Sequence, residues 1–498
     1  MPDLDLAIQS AEGGPVYQQI ADGIRRAIEQ GRLSIGARLP AIRRLATDLD
    51  VNRDTVALAY EALAVEGLLE STVGRGTFVL RPPGRVPEEP AQLELSVEIE
   101  RLLAIGDART RFGAAPNAVP LHSLVPDPAL YPVADFRRAL NRALAKGGAE
   151  LFLYGSAQGH AGLRDVLAAR FAGAGMDVKA EDIVLCHGAS QGISLALRLF
   201  ASAGERVAVE SPTYPNVLAT LAGLGMRPVA VEMSSQGPDL DALERVLALP
   251  DVKAFYTIPT FHNPMGITTS ASHRRALLEV ARRCGKPIVE DAFEMDLRSS
   301  GRAVPTLAAL DRYGLVVHLY SFSKSLFPGL RIGSIAAPSA GPRAVDALVA
   351  LKQSTDLSDS MPLQAALAEF LEEGAYDRHL GRIRRELRMR HQALQEALEE
   401  HLPEGTHWTR PEGGYQVWVE LPVALDTRDL VADAARLGVL FLPGAQFLHD
   451  GAASRCLRLT LAQAGPEQIE RGIEALGRAV AGGISDRAGT VSAPGIHL

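Results

Sequence analysis

The sequence predicts two domains: a small domain of three helices and a β-hairpin, followed by a large α/β domain with a mostly parallel sheet. Three observations lead to this fold class. The first eighty residues contain three runs with apolar residues at helical spacing and then two short extended runs. From about residue 119 onward, short apolar runs alternate with helical patterns, as they do in α/β domains. Finally, Lys324 follows the apolar run 315–320 between small hydroxyl residues, and an ammonium beside a buried strand needs a compensating role.

Composition excludes several classes of protein. The chain has 498 residues, 47% of them hydrophobic and 22% charged, which is typical of a globular protein with about three domains. A net charge of -8 excludes a chain that binds nucleic acid through its overall positive charge. No run reaches the ~18 apolar residues of a membrane helix. The cysteines Cys186, Cys284 and Cys456 have no metal-binding spacing and fit a reducing compartment. We therefore expect a cytoplasmic protein without membrane contact or a metal site.

The small domain is predicted element by element. Its first helix covers 15–29 and its second covers 41–49. The third begins after Asn52, a residue type that caps helices well, and ends near residue 66. Two extended runs, 69–73 and 76–80, then surround a glycine–arginine turn and predict a hairpin, or wing. Three helices, the last able to lie in a DNA groove, and a wing with a basic tip make a winged helix-turn-helix.

These residues resemble the DNA-binding domain of GntR-type regulators. The match covers 39–46, 51–56, 60–63, 66–69 and 74–77, so helix, turn, helix and wing occur in register. The resemblance implies binding to double-stranded operator DNA. The residues expected to contact DNA are Arg43, Arg44, Asn52, Arg53, Thr55 and Arg75.

In this domain the positions of the charged residues are more informative than the net charge. Residues 1–80 contain eight arginines, no lysine and eleven acidic residues, a net charge of -3. The arginines nevertheless fall on the helix-turn-helix and the wing, whereas several acids lie outside them. The alternative is a winged helix that serves only as a protein-interaction module.

Domain boundaries follow from composition. The winged helix is assigned to 1–80, and 81–118 to a linker because 81–90 contains four prolines. Within the linker, 93–105 has the pattern of a short amphipathic helix. The large domain is assigned to 119–484, and 485–498 to a disordered tail. Its predicted strands are 183–186, 206–209, 228–232, 254–258, 287–289 and 316–320, and helical patterns cover 191–201, 215–224, 240–249 and 272–284. Ligands of such sheets bind at the carboxyl ends of the strands.

Unusual residues of the large domain fall at those strand ends. Ala189 and Ser190 open a helix after the first strand, and backbone N–H groups at a helix N-terminus bind anions. Tyr214 follows the second strand and Asn263 follows the fourth. Asp291 ends the fifth, where a buried carboxylate requires a cation. Taken alone, Lys324 could be a surface lysine in a turn; together with these residues it indicates a lysine that forms a Schiff base with an aldehyde cofactor.

This set resembles the fold-type I pyridoxal-phosphate aminotransferases across about 120–480. The resemblance implies pyridoxal 5'-phosphate bound covalently to Lys324, with Tyr214 stacked on its ring, Asn263 on the ring oxygen and Asp291 on the ring nitrogen. It also implies that the phosphate is held by Ala189, Ser190, Ser321, Ser323 and Arg331, and by Tyr154 from the partner subunit of a homodimer. Arg458 matches the arginine that binds a substrate carboxylate.

One position departs from the aminotransferase pattern. The family usually has a tyrosine two or three residues after the aspartate, and Phe293 stands there. The residues therefore leave transaminase activity open.

A GntR-like winged helix followed by an aminotransferase-like domain is the arrangement of MocR-type regulators, which the whole chain resembles. The resemblance implies a transcriptional regulator that senses a small amine, an amino acid or the cofactor itself. The alternatives are a metabolic aminotransferase with a secondary winged helix and a regulator that has lost its cofactor. The intact helix-turn-helix favours regulation over metabolism, and the retained Lys324, Asp291 and Asn263 favour a bound cofactor.

Overall fold

The computed structural model describes residues 14–72, 76–80, 94–110, 112, 117–337, 342–422 and 425–491. By its internal contacts the chain divides into two compact units, Met1–Glu94 and Leu95–Leu498. In the described part, no helix combines the length and apolar character needed to cross a membrane.

The first unit is the predicted winged helix. Its elements are α1 (Val16–Glu29), α2 (Ile42–Asp48), α3 (Arg53–Val65), β1 (Leu69–Thr72) and β2 (Gly76–Val79). The two strands pair antiparallel, with Leu69 opposite Val79. Ile24 of α1 and Val56 and Leu63 of α3 are fully buried between the helices. The predicted elements of this unit are therefore confirmed; the predicted wing tip at Gly74-Arg75 lies outside the described residues.

The second unit alternates strands and helices. Its strands are β3 (Val119–Pro120), β4 (Ile183–Cys186), β5 (Arg206–Ser211), β6 (Arg227–Ser234), β7 (Gly237–Pro238), β8 (Val252–Thr257), β9 (Ile288–Asp291), β10 (Val316–Ser321), β11 (Gly333–Ala336), β12 (His407–Trp408), β13 (Gln416–Glu420), β14 (Val439–Leu440), β15 (Leu442–Pro443) and β16 (Cys456–Thr460). Its helices are α4 (Val97–Ala108), α5 (Val133–Gly147), α6 (Ala161–Gly173), α7 (Gly188–Phe200), α8 (Pro215–Gly223), α9 (Leu240–Leu247), α10 (Ala271–Cys284), α11 (Leu307–Leu310), α12 (Pro342–Asp356), α13 (Met361–Glu372), α14 (Ala375–His401), α15 (Val431–Leu437) and α16 (Pro466–Val491).

An eight-stranded sheet organises this unit, in the order β4-β11-β10-β9-β8-β5-β6-β7. The pairs β10/β9, β9/β8, β8/β5 and β5/β6 are parallel, which confirms the predicted mostly parallel sheet. β11 was not predicted from the sequence. It runs antiparallel to both β10 and β4 and separates them.

Helices cover both faces of this sheet because its buried strands are apolar on both sides. On β10, Val317 and Leu319 pack into one layer, and Val316 and Tyr320 pack into the other, since successive side chains of a strand point to opposite faces. A smaller antiparallel sheet, β12-β13-β16-β15, packs separately against α14 and α16.

Two boundaries differ from the sequence prediction. Residues 97–108 were assigned to the linker, within which a short helix was expected over 93–105; they form α4, which packs on α8 of the large domain, and a Cβ on Gly223 would lie 3.2 Å from Leu102. The tail was assigned from 485, yet α16 continues to Val491. Both segments lack prolines, so continuing the helix was compatible with their local sequence.

Candidate functional site

A cavity of about 500 Å³ lies at the carboxyl ends of the parallel strands. Ten of the predicted site residues line it: Ala189, Ser190, Tyr214, Asn263, Asp291, Ser321, Ser323, Lys324, Arg331 and Arg458. These residues come from α7, from β9, β10 and β16, and from the loops after β5, β8 and β10. The structure therefore brings the predicted set together, with Tyr154 as the exception.

One end of the cavity is shaped to receive an anion. The first turn of α7 carries Ala189 and Ser190, whose backbone N–H groups lie at a helix N-terminus. Arg331 approaches this turn and donates a 2.9 Å hydrogen bond to the carbonyl of His187. Gly188 has a φ of +72°, and a Cβ there would lie 3.0 Å from the Arg331 guanidinium. Glycine at this position therefore permits the close approach of the arginine to the helix.

Asp291 is the last residue of β9 and is only 2% exposed. Its Oδ2 accepts a 2.7 Å hydrogen bond from the phenol of Tyr256, whereas no described residue donates to Oδ1. Burial raises the pKa of Asp291 to about 6, against the lowering effect of the Tyr256 hydrogen bond. A buried carboxylate oxygen without a donor fits a protonated ring nitrogen.

Lys324 lies in the loop after β10, and its Nζ donates a 2.9 Å hydrogen bond to the carbonyl of Leu124. Burial lowers the pKa of Lys324 to about 8; Glu294 raises it, and Arg458 and Arg331 lower it further. A useful fraction of its amine is therefore neutral near physiological pH, the form that attacks an aldehyde.

Arg458 also lines the cavity and comes from the middle of β16. Its guanidinium donates to Oδ1 of Asn263 at 3.1 Å and to the carbonyl of His122 at 2.8 Å, and lies 5.1 Å from the centre of the Phe447 ring. Nε has no partner among the described residues. Because Asn263 accepts through Oδ1, its amide N–H₂ group remains for a ligand oxygen.

Sequence analysis did not identify two further side chains near the cavity residues, those of Tyr256 and Glu294. Tyr256 lies on β8, whose apolar run gave no sign that it would reach Asp291 on β9. Glu294 is 1% exposed, and accepts hydrogen bonds from the backbone N–H of Tyr415 and the side chain of Gln416. Burial raises the pKa of Glu294 to about 7, and Lys324 is the strongest charge opposing that rise. For Glu294, an acid three residues beyond the buried strand β9 was the available signal.

Tyr154 does not line the cavity. Its side chain is 86% exposed, and its neighbours Phe152 and Leu153 are 71% and 61% exposed. A contribution of Tyr154 to a site therefore requires a second copy of the chain.

The predicted DNA-contacting residues lie on α2 and at the start of α3. Arg43, Arg44, Asn52 and Arg53 are exposed, and Thr55 is half-buried. The Asn52 side chain accepts a 3.0 Å hydrogen bond from the backbone N–H of Asp54 and so caps α3. Arg75 lies outside the described residues. The exposed first turn of α3 is free to contact DNA.

Two acidic residues of the first unit, Asp22 and Glu66, form ion pairs with Arg25. Arg25 donates to both carboxylate oxygens of Glu66 and pairs with Asp22. Glu66 follows the C-terminal end of α3, about 20 Å from Arg53 by helix geometry. Acids also lie close to the predicted contacts, since Asp54 is 3.8 Å from the Arg53 guanidinium and Asp48 is 3.8 Å from that of Arg44.

Comparison with known proteins agrees with this division of the chain. Residues 125–476 match the family of aminotransferases of class I and II, and residues 16–79 match the gntR family of bacterial regulatory proteins.

Relatives that match nearly the whole chain are named as regulators. The HTH-type transcriptional regulator YdcR of Escherichia coli is 30% identical over 93% of this chain and 98% of its own length. The probable rhizopine catabolism regulatory protein MocR of Rhizobium meliloti is 29% identical over 93% of each chain. The α-aminoadipate aminotransferase LysN of Thermus thermophilus, solved with N-(5'-phosphopyridoxyl)-L-leucine, is 33% identical with a TM-score of 0.69, and covers 78% of this chain and 96% of its own.

Proposed function

This chain belongs to the aminotransferase class I and II family and has the two-domain architecture of MocR-type regulators; from that premise we propose that it regulates transcription in the cytoplasm, binding double-stranded DNA and responding to a small amine or amino acid through pyridoxal phosphate. The observation that carries the proposal is the joint occurrence of a helix-turn-helix and a cavity with a cofactor-compatible set of side chains.

The donor set of the cavity fits pyridoxal phosphate. Arg331 and the first turn of α7 suit its phosphate, Oδ1 of Asp291 suits its protonated ring nitrogen, and the amine of Lys324 suits its aldehyde. When bound, the cofactor supplies an aldehyde carbon that reacts reversibly with primary amines.

The other residues of the cavity suit an amino-acid ligand. Arg458 has a donor without a partner and the planar geometry that binds a carboxylate through two hydrogen bonds. Amines without a carboxylate would lack this contact. Arg458 would therefore select amino acids over simple amines.

A metabolic aminotransferase is the second candidate. The observation in its favour is the complete set of cofactor-compatible side chains in the cavity. Two observations favour the regulator: the relatives that match 93% of the chain are named as regulators, and Phe293 lines the cavity where the enzymes usually have tyrosine.

We also propose that the large domain forms a homodimer. The exposed run Phe152–Leu153–Tyr154 supports this proposal, because three consecutive large apolar side chains are rarely left in water without a binding role. A dimer would present two winged helices to two half-sites of one operator.

The test is to recover the genomic DNA that the purified protein binds and to measure binding to that DNA with and without amines. The parent protein should show a visible cofactor band and an amine-dependent change in DNA affinity. Lys324→Ala should lose both the band and the amine response while still binding DNA. An unchanged amine response in Lys324→Ala would contradict detection through the cofactor, and absence of any selected DNA together with efficient transamination would favour the enzyme.

A further inference from the structure

His187 immediately precedes the first turn of α7, and both its backbone and its ring are held by other residues. Its backbone N–H donates a 2.8 Å hydrogen bond to the side chain of Gln191, and its carbonyl accepts one from Arg331. The Nε2 atom of its imidazole lies 3.0 Å from Oδ1 of Asp359. The position of residue 187 is therefore fixed from three directions.

Asp359 is buried, and its other carboxylate oxygen binds two further donors. Lys352 forms an ion pair with Oδ2, and Gln364 donates a 2.9 Å hydrogen bond to the same oxygen. The side chains of Lys352 and Asp359 are 0% and 3% exposed, and the Lys352 ammonium also donates to the carbonyl of Ala157 at 2.9 Å. A buried ion pair does not by itself make a fold more stable than packed apolar residues would. Its place beside His187 therefore indicates a further role.

A second contact holds the other side of the first turn of α7. Gln191, which accepts the backbone N–H of His187, donates through its amide to the carboxylate of Asp356. Asp356 is the last residue of α12, three residues before the acid that pairs with His187. His187 and Gln191 bracket Ala189 and Ser190, whose backbone N–H groups lie at the helix N-terminus. The turn is consequently fastened on both sides to the C-terminal end of α12 and the residues that follow it.

The ring of His187 does not line the cavity, so it would act on a ligand through its neighbours rather than by direct contact. The contact with Asp359 raises the pKa of the imidazole against the effect of burial; Lys352 lowers this pKa and Asp356 raises it. The ring is therefore more readily a cation than an isolated imidazole, which favours its pairing with Asp359.

We propose that His187 is a positioning residue for the phosphate group of the cofactor, held in place by the buried pair of Asp359 and Lys352. This inference rests on the proposed function, because it takes pyridoxal phosphate to occupy the cavity. His187 keeps its carbonyl in place to orient Arg331, and it keeps the N–H groups of the first turn of α7 directed at one point. Its contribution should therefore appear only with ligands that carry the phosphate.

The experiment compares pyridoxal phosphate with pyridoxal, which has the same ring and aldehyde but no phosphate. Each is titrated into cofactor-free protein, and the visible absorption band reports binding. His187→Ala should bind pyridoxal phosphate about tenfold more weakly than the parent, in the range for loss of a hydrogen bond to a charged group, and should bind pyridoxal as the parent does. The variant should fold, because the ring is 42% exposed and Asp359 keeps its contacts with Lys352 and Gln364.

A conservative variant separates positioning from a loss of packing. In His187→Gln the side-chain amide places an N–H donor about where Nε2 of the imidazole lies, so it can still donate to Asp359. This variant should recover most of the affinity for pyridoxal phosphate. His407→Ala is the matched control, because His407 is an exposed histidine of β12 that does not line the cavity. It should bind both ligands as the parent does.

Two results would overturn the inference and leave the proposed function standing. An equal loss of affinity for both ligands in His187→Ala would show that the network supports only the fold around the cavity. Unchanged affinity for both would show that the first turn of α7 does not need His187. A parent protein that binds neither ligand would contradict the cofactor part of the proposed function, and with it this inference.

Discussion

The phenol of Tyr256 donates a 2.7 Å hydrogen bond to Oδ2 of Asp291, across the neighbouring strands β8 and β9. This contact satisfies one oxygen of a buried carboxylate, and the other oxygen, which is also buried, has no hydrogen-bond donor among the described residues. The buried carboxylate of Asp291 is therefore suited to bind a cation. In the protein without cofactor, its burial lowers the free energy of unfolding.

We therefore expect the free energy of unfolding of the cofactor-free protein to depend on pH through Asp291. The pKa of Asp291 in the folded protein, about 6, lies above its ordinary value of 3.8, because burial disfavours the ionised form. Its ionisation therefore costs nothing below about pH 4, destabilises the fold progressively between about pH 4 and 6, and destabilises it by a constant amount above that range. In cofactor-free protein, Asp291→Asn should raise the free energy of unfolding above pH 6 by up to about 3 kcal/mol, with little change at pH 4. Denaturant unfolding of the large domain measures this.

The control for that measurement is Asp177→Asn, an exposed carboxylate that does not line the cavity. This substitution should change the free energy of unfolding by the same amount at pH 4 and above pH 6. Adding pyridoxal phosphate should stabilise the parent more than Asp291→Asn at pH 8. A stability difference independent of pH would show that Asp291 is not strained by burial.

Capture of the cofactor by Lys324 should depend on pH with a midpoint near 8, since the neutral amine is the reactive form. Glu294→Gln should move this midpoint downward, because the Glu294 charge raises the pKa of Lys324 against burial. The rate at which the visible band appears in cofactor-free protein, recorded as a function of pH, provides the measurement. Glu412→Gln, an exposed acid paired with Arg298, should leave the midpoint unchanged. An unchanged or higher midpoint in Glu294→Gln would exclude this role of Glu294.

Arg53→Ala should weaken operator binding by roughly 1–3 kcal/mol, the range for an arginine that contacts a base or a well-defined phosphate. The side chain is 60% exposed in the first turn of α3, so its removal should not affect folding. Fluorescence anisotropy with the recovered operator measures the affinity, and the cofactor band should be unaltered. Arg32→Ala, an exposed arginine after α1 outside the predicted contact set, serves as the control. Equal losses in both variants would indicate a general charge effect.

Leu153→Asp should convert the proposed homodimer into monomers at micromolar concentration. A buried carboxylate at an apolar interface costs several kcal/mol, whereas in a monomer this position is exposed and tolerates the change. Sedimentation velocity separates the two states. Val65→Asp, at an 85% exposed position of the first unit, should remain dimeric. A cofactor-bound parent that sediments as a monomer would refute the dimer, and with it the role of Tyr154 across subunits.

The sequence by itself determined the winged helix, the mostly parallel sheet and the strand-end residues of the cavity. These features depend on local order: apolar spacing gives each element, and parallel strands bring the residues that directly follow them to one edge of the sheet. Asp291, Ser321 and Asn263 could therefore be placed together without knowing the tertiary structure.

Only the tertiary structure decided which distant segments complete the cavity. Arg458 reaches Asn263 from almost two hundred residues away, and Tyr256 reaches Asp291 because their strands pair in one particular order. The insertion of β11 between β4 and β10, and the packing of α4 against α8, likewise depend on surfaces that meet only in the folded chain. Contacts of this kind are fixed by shape complementarity between remote elements, which local periodicity does not encode.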